Sequence, residues 1–495
     1  MTLAFADDLV LLSNNWEGMK KNTDTFEVFC AHTGLMVRAK KCHGFLISLT
    51  KDSYVINNYE DWSINNNKLH TKYLDLKINP WTTTKKPDAV NLLQDWIHKI
   101  YKAPLKPSQK QILNVYTIPR LIYQMDHAYT NQLSLKNLHG LIRKAIKRWL
   151  HLPESTCNGL LYSSNRDGGL GSTNLSNLIP SIQIRRLQRM AMSSNPIIST
   201  LMRSEEAQVK LQNLWIQAGG DENKILQLKD PTTLTVQSED ILLPVEWEPS
   251  PNQKPKFMTP CNWRNDEFEN WTKLPVQGTR IKNFKDDPDS NSWLAHHKGF
   301  KERHYIAALQ LRTNVYPNRE SLNRGQRDTQ HCYKCQQKTE TYSHILDQCP
   351  CGKSTRIKRH NKICYILAKE AKKQNWEIRK EPHFRLKEVR KPDLIFTKNN
   401  ESIVIDVTVR YEQNLHTLKE AEREKVVYYE PLKEQIKETT GAEKVTFYGF
   451  PIGARGKWHN RNFNVLQSLQ IRESRQKQLF SRRALLYSLD ILSMF

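Results

Sequence analysis

Asp393 and Asp406 stand on the two arms of a predicted hairpin and could share one divalent cation. Lys391-Pro392-Asp393 leads into the apolar triplet Leu394-Ile395-Phe396, a polar turn spans 397–402, and a second strand runs from Ile403 to Val409. Alternation sets Ile403, Ile405, Val407 and Val409 on one face and Val404, Asp406, Thr408 and Arg410 on the other. An acid inside a β-branched strand is disfavoured unless it is exposed or liganded, so Asp406 is the most informative carboxylate of the chain. Carboxylate oxygens of this kind suit a hard cation such as magnesium. Farther on, Leu415, Leu418, Ala421, Lys425, Tyr428 and Tyr429 fall on one helical stripe. Lys425 interrupts that inward face, where it would stabilise phosphate charge or position an attacking water.

A second set is built from softer atoms. Cys332, Cys335, His344 and Cys349 follow the spacing C-x2-C-x8-H-x4-C, which gives zinc a closed tetrahedral site with no position left for water. Such a site is structural, and its apparent binding energy, of order 10 kcal/mol, is enough to fold a loop-rich module too small to fold alone. Cys351 could replace Cys349 in the fourth place, and His331 is an alternate imidazole. Clustering of cysteines in a reducing compartment argues for metal and against disulfides.

The third set opens the chain. Phe5-Ala6-Asp7-Asp8 lies between the apolar runs Leu3 to Phe5 and Leu9 to Leu12, so Asp7 and Asp8 are expected at a tight turn between two buried strands. Two carboxylates presented there would bind magnesium, and two-metal nucleotidyl transfer needs hard oxygen ligands from more than one strand. The hairpin resembles that of reverse transcriptases, whose remaining carboxylate lies upstream, and because only four residues precede Phe5 the resemblance implies no DNA synthesis from this chain alone.

Elements that must position these groups follow from pattern and charge. Lys+Arg 75 against Asp+Glu 51 gives a net charge of +24 over 495 residues, spread along the sequence, which suits a long polyanion lying across several domains. Aromatic residues interleaved with the basic ones could stack on bases, so nucleic acid is the expected partner. No apolar run approaches the roughly 20 residues that span a bilayer, and the first dozen residues carry acids where a signal peptide needs an apolar core. The expectation is an intracellular protein without a membrane partner, and basic clusters such as 356–362 would permit nuclear import.

The predicted architecture is multidomain α+β. Residues 1–83 hold the acidic hairpin, a helix from about Asn15 to His32 and strands near Phe45 and Tyr73. Residues 84–200 turn helical. Ala89, Leu92, Leu93, Trp96, Ile97 and Ile100 make one stripe, and Leu135, Leu138, Ile142, Ile146 and Trp149 make another. The opposite face of that second helix carries Arg143, Lys144, Lys147 and Arg148, positioned to grip a nucleic-acid backbone. Residues 166–171 are glycine-dense but lack the strand a phosphate-cradling loop requires, and they read as a turn. A mostly helical linker covers 201–300, with a proline-rich stretch at 244–260. Tyr305 to Leu311 forms a short helix before the cysteine cluster of 301–355. In 356–495 a further strand spans Val445 to Phe450, and Arg455 sits in a basic turn expected near DNA.

These parts resemble known families. The opening hairpin resembles the active-site hairpin of reverse transcriptases. The Pro-Asp followed by an acid resembles the restriction-like α/β nuclease fold, whose usual lysine two residues after the acid is replaced here by Thr408. The whole order, from a partial polymerase palm through helical thumb, linker and zinc knuckle to nuclease, resembles the C-terminal portion of the R-two-type non-LTR retrotransposon polyprotein, from elements that insert into ribosomal RNA genes. Further support comes from Gly34-Leu35 with Lys41-Cys42, Leu105-Lys106-Pro107 with Gln109-Lys110, Pro119-Arg120-Leu121, Trp149-Leu150 with Leu152-Pro153, and Gly168-Gly169-Leu170-Gly171.

The resemblance implies that the intact protein nicks target DNA and primes reverse transcription of its own element RNA from the exposed 3′ end. It assigns Asp393, Asp406 and Lys425, with Tyr428 or Tyr429, to the nuclease, and Asp7, Asp8 and Lys41 to the polymerase. Arg38 stands where the family usually has Asn, and Asp75 where Gly usually follows Tyr-Leu. The expectation is a truncated protein whose nuclease half is intact. The alternative is a non-catalytic nucleic-acid-binding remnant.

Overall fold

Two units build the molecule in the computed structural model of the chain, Met1–Leu92 with Pro119–Leu135 and Leu93–Ile118 with Lys136–Phe495. The structure describes all residues except 1, 6–7, 38–41, 43, 50–53, 59–70, 74–75, 80–82, 85–87, 104–107, 128–130, 224, 229–233, 239–240, 244–259, 296–298, 324–329, 386–387 and 472. Helices and strands are mixed along the chain, as in an α+β protein. No helix among the described residues is long and apolar enough to cross a membrane.

In the first unit, Thr2–Phe5 pairs antiparallel with Asp8–Leu11, with Phe5 opposite Asp8 in the register. The helix Trp16–Thr33 starts where Asn15 Oδ1 accepts the Gly18 N–H at 2.7 Å and ends at Gly34, whose φ of 70° only glycine adopts freely. Phe45–Leu49 pairs with Tyr54–Asn58, and Thr71–Tyr73, Leu76–Asn79 and Thr83–Thr84 form a small antiparallel sheet. Asp7, Arg38, Lys41 and Asp75 lie outside the described residues. Asp8 opens the second hairpin strand.

The second unit begins with helices. On Gln132–Trp149 the residues Leu138, Ile142, Ile146 and Trp149 are all buried, as the apolar stripe dictates. The glycine-dense segment is a turn: Gly168 has φ 91°, and a Cβ on Gly169 would meet the Ser163 carbonyl oxygen at 2.4 Å. Helices Leu175–Ala191 and Glu205–Gln217 share a core of Ile184, Leu187, Leu211, Leu214 and Trp215. Three short antiparallel strands follow, Ile225–Leu228, Leu234–Ser238 and Ile241–Leu243, and then the helices Trp263–Thr272, Pro288–Ala295 and Glu302–Arg312.

The C-terminal part is a mixed sheet between helices. Helix α1 (Lys353–Lys372) precedes β1 (Glu377–Lys380), β2 (Leu394–Lys398) and β3 (Glu401–Arg410). Helices α2 (Thr417–Tyr429) and α3 (Lys433–Thr440) then cross over to β4 (Lys444–Gly453), and α4 (Asn462–Ser468) and α5 (Glu473–Leu492) close the chain. The strand order is β1-β2-β3-β4, antiparallel except for the parallel β3–β4 pair. A parallel pair needs a long crossover, which α2 and α3 supply.

Both faces of this sheet are covered. Leu394, Phe396, Ile403, Ile405 and Val407 pack with Ile363, Leu367, Val465, Leu466, Phe480 and Ala484 of α1, α4 and α5. On the other face Ile395 and Val404 pack with Tyr429 and Ile436 of α2 and α3. Alternation along β3 is therefore an alternation between two cores, and Asp406, on the Val404 side, is buried at the α2 layer.

Candidate functional site

Leu394 faces Ile405 across the β2–β3 ladder, so one more step of the antiparallel register sets Asp393 opposite Asp406. Residues opposite each other in such a pair project from the same face with Cβ atoms roughly 5 Å apart. Asp406 is held from above by α2, with Lys425 Nζ 3.2 Å from its Oδ1, and the Tyr429 hydroxyl lies beside it while donating to the Lys391 carbonyl oxygen at 2.9 Å. Burial, and then the neighbouring Asp393 charge, push the Asp406 carboxyl up to about 6 against the pull of Lys425. The Tyr429 phenol is raised by burial and by Asp406. Two carboxylates whose charges oppose each other in a half-dry site form a donor set suited to a hard divalent cation.

Asp393 is fixed from the opposite layer. Its Oδ2 accepts the Val407 N–H at 2.7 Å and the His360 Nε2 at 2.9 Å, and that same Nε2 lies 3.1 Å from the Val407 carbonyl oxygen. The two nearest neighbours of Nε2 are acceptors, closer than the Cys364 sulfur at 3.8 Å, so Nε2 carries a proton. Burial alone would lower the imidazole, but its hydrogen bonds to Asp393 and Cys364 prevail and push it up to about 11. Sequence reasoning missed His360. It lies in the basic run 356–362, and the available signal was helical spacing, since His360 and Cys364 recur at i and i+4 on the side of Ile363 and Leu367.

The two tyrosines separate. Tyr429 is buried at the site, whereas Tyr428 is 41% exposed, edge-on to Tyr429 and covered by the Arg390 guanidinium at 4.4 Å. Leu415 is exposed and precedes α2, because Asn414 Oδ1 accepts the His416 and Thr417 N–H groups and starts the helix there. The stripe expected from Leu415 to Tyr429 therefore shrinks to Leu418, Ala421, Lys425 and Tyr429. Thr408, at the family's lysine position, is buried and accepts from Arg410 Nε at 3.2 Å.

Cys332, Cys335, His344 and Cys349 bring their ligand atoms within 4.8 Å of one another. Cys332 Sγ lies 3.9 Å from Cys349 Sγ, close to the roughly 3.8 Å that separates two thiolates on a tetrahedral zinc. Cys335 Sγ lies 3.2 Å from His344 Nε2. Burial pushes the Cys349 thiol up to about 12 and also raises Cys332, so a bound cation is what would favour thiolates there. The donor set fits zinc. Buried Glu340 ties down the knuckle by accepting the Tyr333 N–H at 2.6 Å and the Arg319 N–H at 3.0 Å. Cys351 is exposed and His331 is exposed, and neither joins the set.

The turn that carries the Cys–His cluster is bolted to the β1–β4 sheet. Arg356 of α1 donates to the Cys349 carbonyl oxygen, and Arg359 donates to the Leu346 carbonyl oxygen at 3.1 Å and pairs with Asp347 at 3.5 Å. Asp347 also accepts the N–H of Tyr411, the residue after β3. His360 is the next residue along α1. Arg359 is itself buried, so the 356–362 run is not a continuous basic surface.

Of the residues expected to meet nucleic acid, Lys144 and Arg148 are exposed, and Arg148 lies over the Tyr101 ring at 4.3 Å. Arg143 is half-buried with Nη1 3.4 Å from Asn158 Oδ1, and Lys147 donates to the Glu154 carbonyl oxygen. Arg455 departs from expectation. It is 1% exposed, its Nε lies 3.2 Å from Glu412 Oε2, and its guanidinium stacks 5.0–5.1 Å from the Tyr411 and Phe284 rings, so it cannot serve as a surface phosphate contact. The reason is Glu412, which also accepts the Arg455 N–H and folds the turn inward.

No family model matches the chain. Individual relatives do. Two retrovirus-related Pol polyproteins from type-1 retrotransposable element R2 of Popillia japonica are 24% and 27% identical, each over 94% of this chain and over 92% and 61% of their own lengths. A Nasonia vitripennis protein of the same description is 24% identical over 97% of this chain and 44% of its own length. The chain thus spans less than two thirds of the longer relatives, 61% of one and 44% of the other. Near-complete coverage of the chain, with the carboxylate pair and the Cys3His cluster inside the aligned length, makes this chain an R2-type non-LTR retrotransposon protein.

Proposed function

We propose that the C-terminal part of this chain is a magnesium-dependent DNA endonuclease of restriction-like fold that nicks target DNA, organised by a structural zinc site. The observation that carries the reading is the Lys425–Asp406 contact of 3.2 Å beneath an antiparallel register that faces Asp393 with Asp406. Asp393 and Asp406 would hold the magnesium ion, which supplies Lewis-acid polarisation of a phosphate oxygen and a more acidic bound water. Lys425 is placed to neutralise charge that grows on the phosphate as the ester bond to the leaving oxygen breaks. Tyr429 holds the Asp406 side of the site against water entry, and half-exposed Tyr428, with Arg390 over its ring, forms the rim that would meet the DNA backbone. Lys144 and Arg148 would contact nucleic-acid phosphate, DNA or element RNA. Asp7, Asp8 and Lys41 belong by resemblance to a polymerase site that copies RNA from the nicked end, and the reading implies work in the nucleus.

The test is direct. Purified, zinc-loaded chain should convert supercoiled plasmid to nicked circles in magnesium and not after chelation, and Asp406→Ala should abolish the conversion. Equal nicking by that variant would overturn the assignment. Binding without any cutting, with log affinity falling by about 0.9 per phosphate contact against log salt, would instead favour a nucleic-acid-binding remnant.

A further inference from the structure

His360, Cys364 and Asp393 place one imidazole, one thiol and one carboxylate within 4.8 Å beside the proposed magnesium ligands. A second, softer metal is the first idea such a trio suggests. The geometry argues against it, because the two nearest partners of His360 Nε2 are the acceptors Asp393 Oδ2 at 2.9 Å and the Val407 carbonyl oxygen at 3.1 Å, with the Cys364 sulfur farther off at 3.8 Å, so Nε2 offers a proton to the oxygens and not a lone pair to a metal.

We infer that His360 is a positioning residue for the metal ligand Asp393. Its Nε2–H and the Val407 N–H both donate to Oδ2 of Asp393, which commits that oxygen to the protein and fixes the plane of the carboxylate, leaving Oδ1 as the oxygen for an ion. A carboxylate on a loop between Pro392 and β2 otherwise rotates about two side-chain bonds, and a misdirected ligand loses affinity for a small hard ion that demands near-ideal geometry. The donor comes from α1, the layer opposite Lys425, so the two carboxylates are each oriented by a different helix across the sheet. Since α1 is anchored one residue earlier by Arg359 to the zinc turn at Leu346 and Asp347, the zinc module sets the height at which His360 meets Asp393. This inference deepens the endonuclease reading and rests on it for the identity of the ion's work, but not for the ion's binding.

The experiment measures Mn2+ binding to the zinc-loaded full chain by the loss of free-ion electron paramagnetic resonance signal, with Asp406→Asn marking the nuclease-bound fraction. His360→Ala should weaken that fraction about 10- to 100-fold, the usual range for loss of a ligand's supporting partner. His360→Gln, whose amide can donate to Oδ2, should recover most of the loss, and zinc content and melting temperature should match wild type in both. Wild-type Mn2+ affinity in His360→Ala overturns the inference. So does a Gln variant as weak as Ala, or a spin-echo nitrogen modulation showing imidazole bound directly to Mn2+. If Mn2+ binds as described but wild-type protein cuts no DNA, the endonuclease reading fails while the role of His360 stands.

Discussion

Lys425 and Asp406 meet at 3.2 Å across the gap between α2 and β3, so the cation that this strand lacks at Thr408 is delivered from the helix above it. Lys425→Met should lower the nicking rate on the order of 100- to 1,000-fold, the cost of removing one preorganised charge-stabilising donor. The magnesium concentration for half-maximal rate should stay near wild type, because lysine is not a ligand. Rate against magnesium concentration for the two proteins checks both parts.

Zinc stoichiometry separates Cys349 from Cys351. Cys349→Ser should abolish the one zinc per chain read by atomic emission, whereas Cys351→Ser should leave it intact, because Cys351 is exposed and outside the ligand set. Stripping zinc should also reduce nicking, since the zinc turn holds α1 through Arg356 and Arg359.

Arg455 and Glu412 form a fully buried pair, 1% exposed on each side. Removing one partner strands the other charge away from water, so Glu412→Ala should cost about 3–5 kcal/mol of stability, measured by urea unfolding. The inward turn carries a second prediction. An Arg455 variant that stays folded should keep the wild-type salt slope of DNA binding, as a residue sealed from phosphate must.

His139 is held well below its ordinary range, at about 4, by burial and then by Arg143, with Nε2 2.9 Å from the Tyr162 hydroxyl. A depressed histidine is neutral when folded and takes up its proton on unfolding, so its contribution is full above the unfolded value of 6.5 and is lost as pH falls from there toward 4. The loss is on the order of 3 kcal/mol. His139→Gln keeps a partner for Tyr162 and should flatten that pH dependence, which denaturant midpoints at pH 7 and pH 5 would reveal.

Much of the C-terminal sheet was legible because β-branched alternation from Ile403 to Val409 is a local signal, and so was the interruption of an apolar helical stripe by Lys425. The cysteine spacing is likewise local. What was not legible depends on residues far apart in sequence. His360 acquires its meaning from Asp393, 33 residues on, and Arg455 is drawn inside by Glu412, 43 residues before it. Helical periodicity also could not rank Tyr428 against Tyr429, which are neighbours on α2, and it missed that Asn414 starts the helix after Leu415.

The central claim is that Asp393 and Asp406 act as one unit on one divalent ion. Its most direct test is the initial rate of plasmid nicking in magnesium for wild type, Asp393→Asn, Asp406→Asn and the double variant, each with wild-type zinc content. Ligands of one ion are non-additive, so each single change should fall to the same floor as the double. A single variant that retains roughly a tenth or more of the wild-type rate, or a double variant far below both singles, would contradict the account.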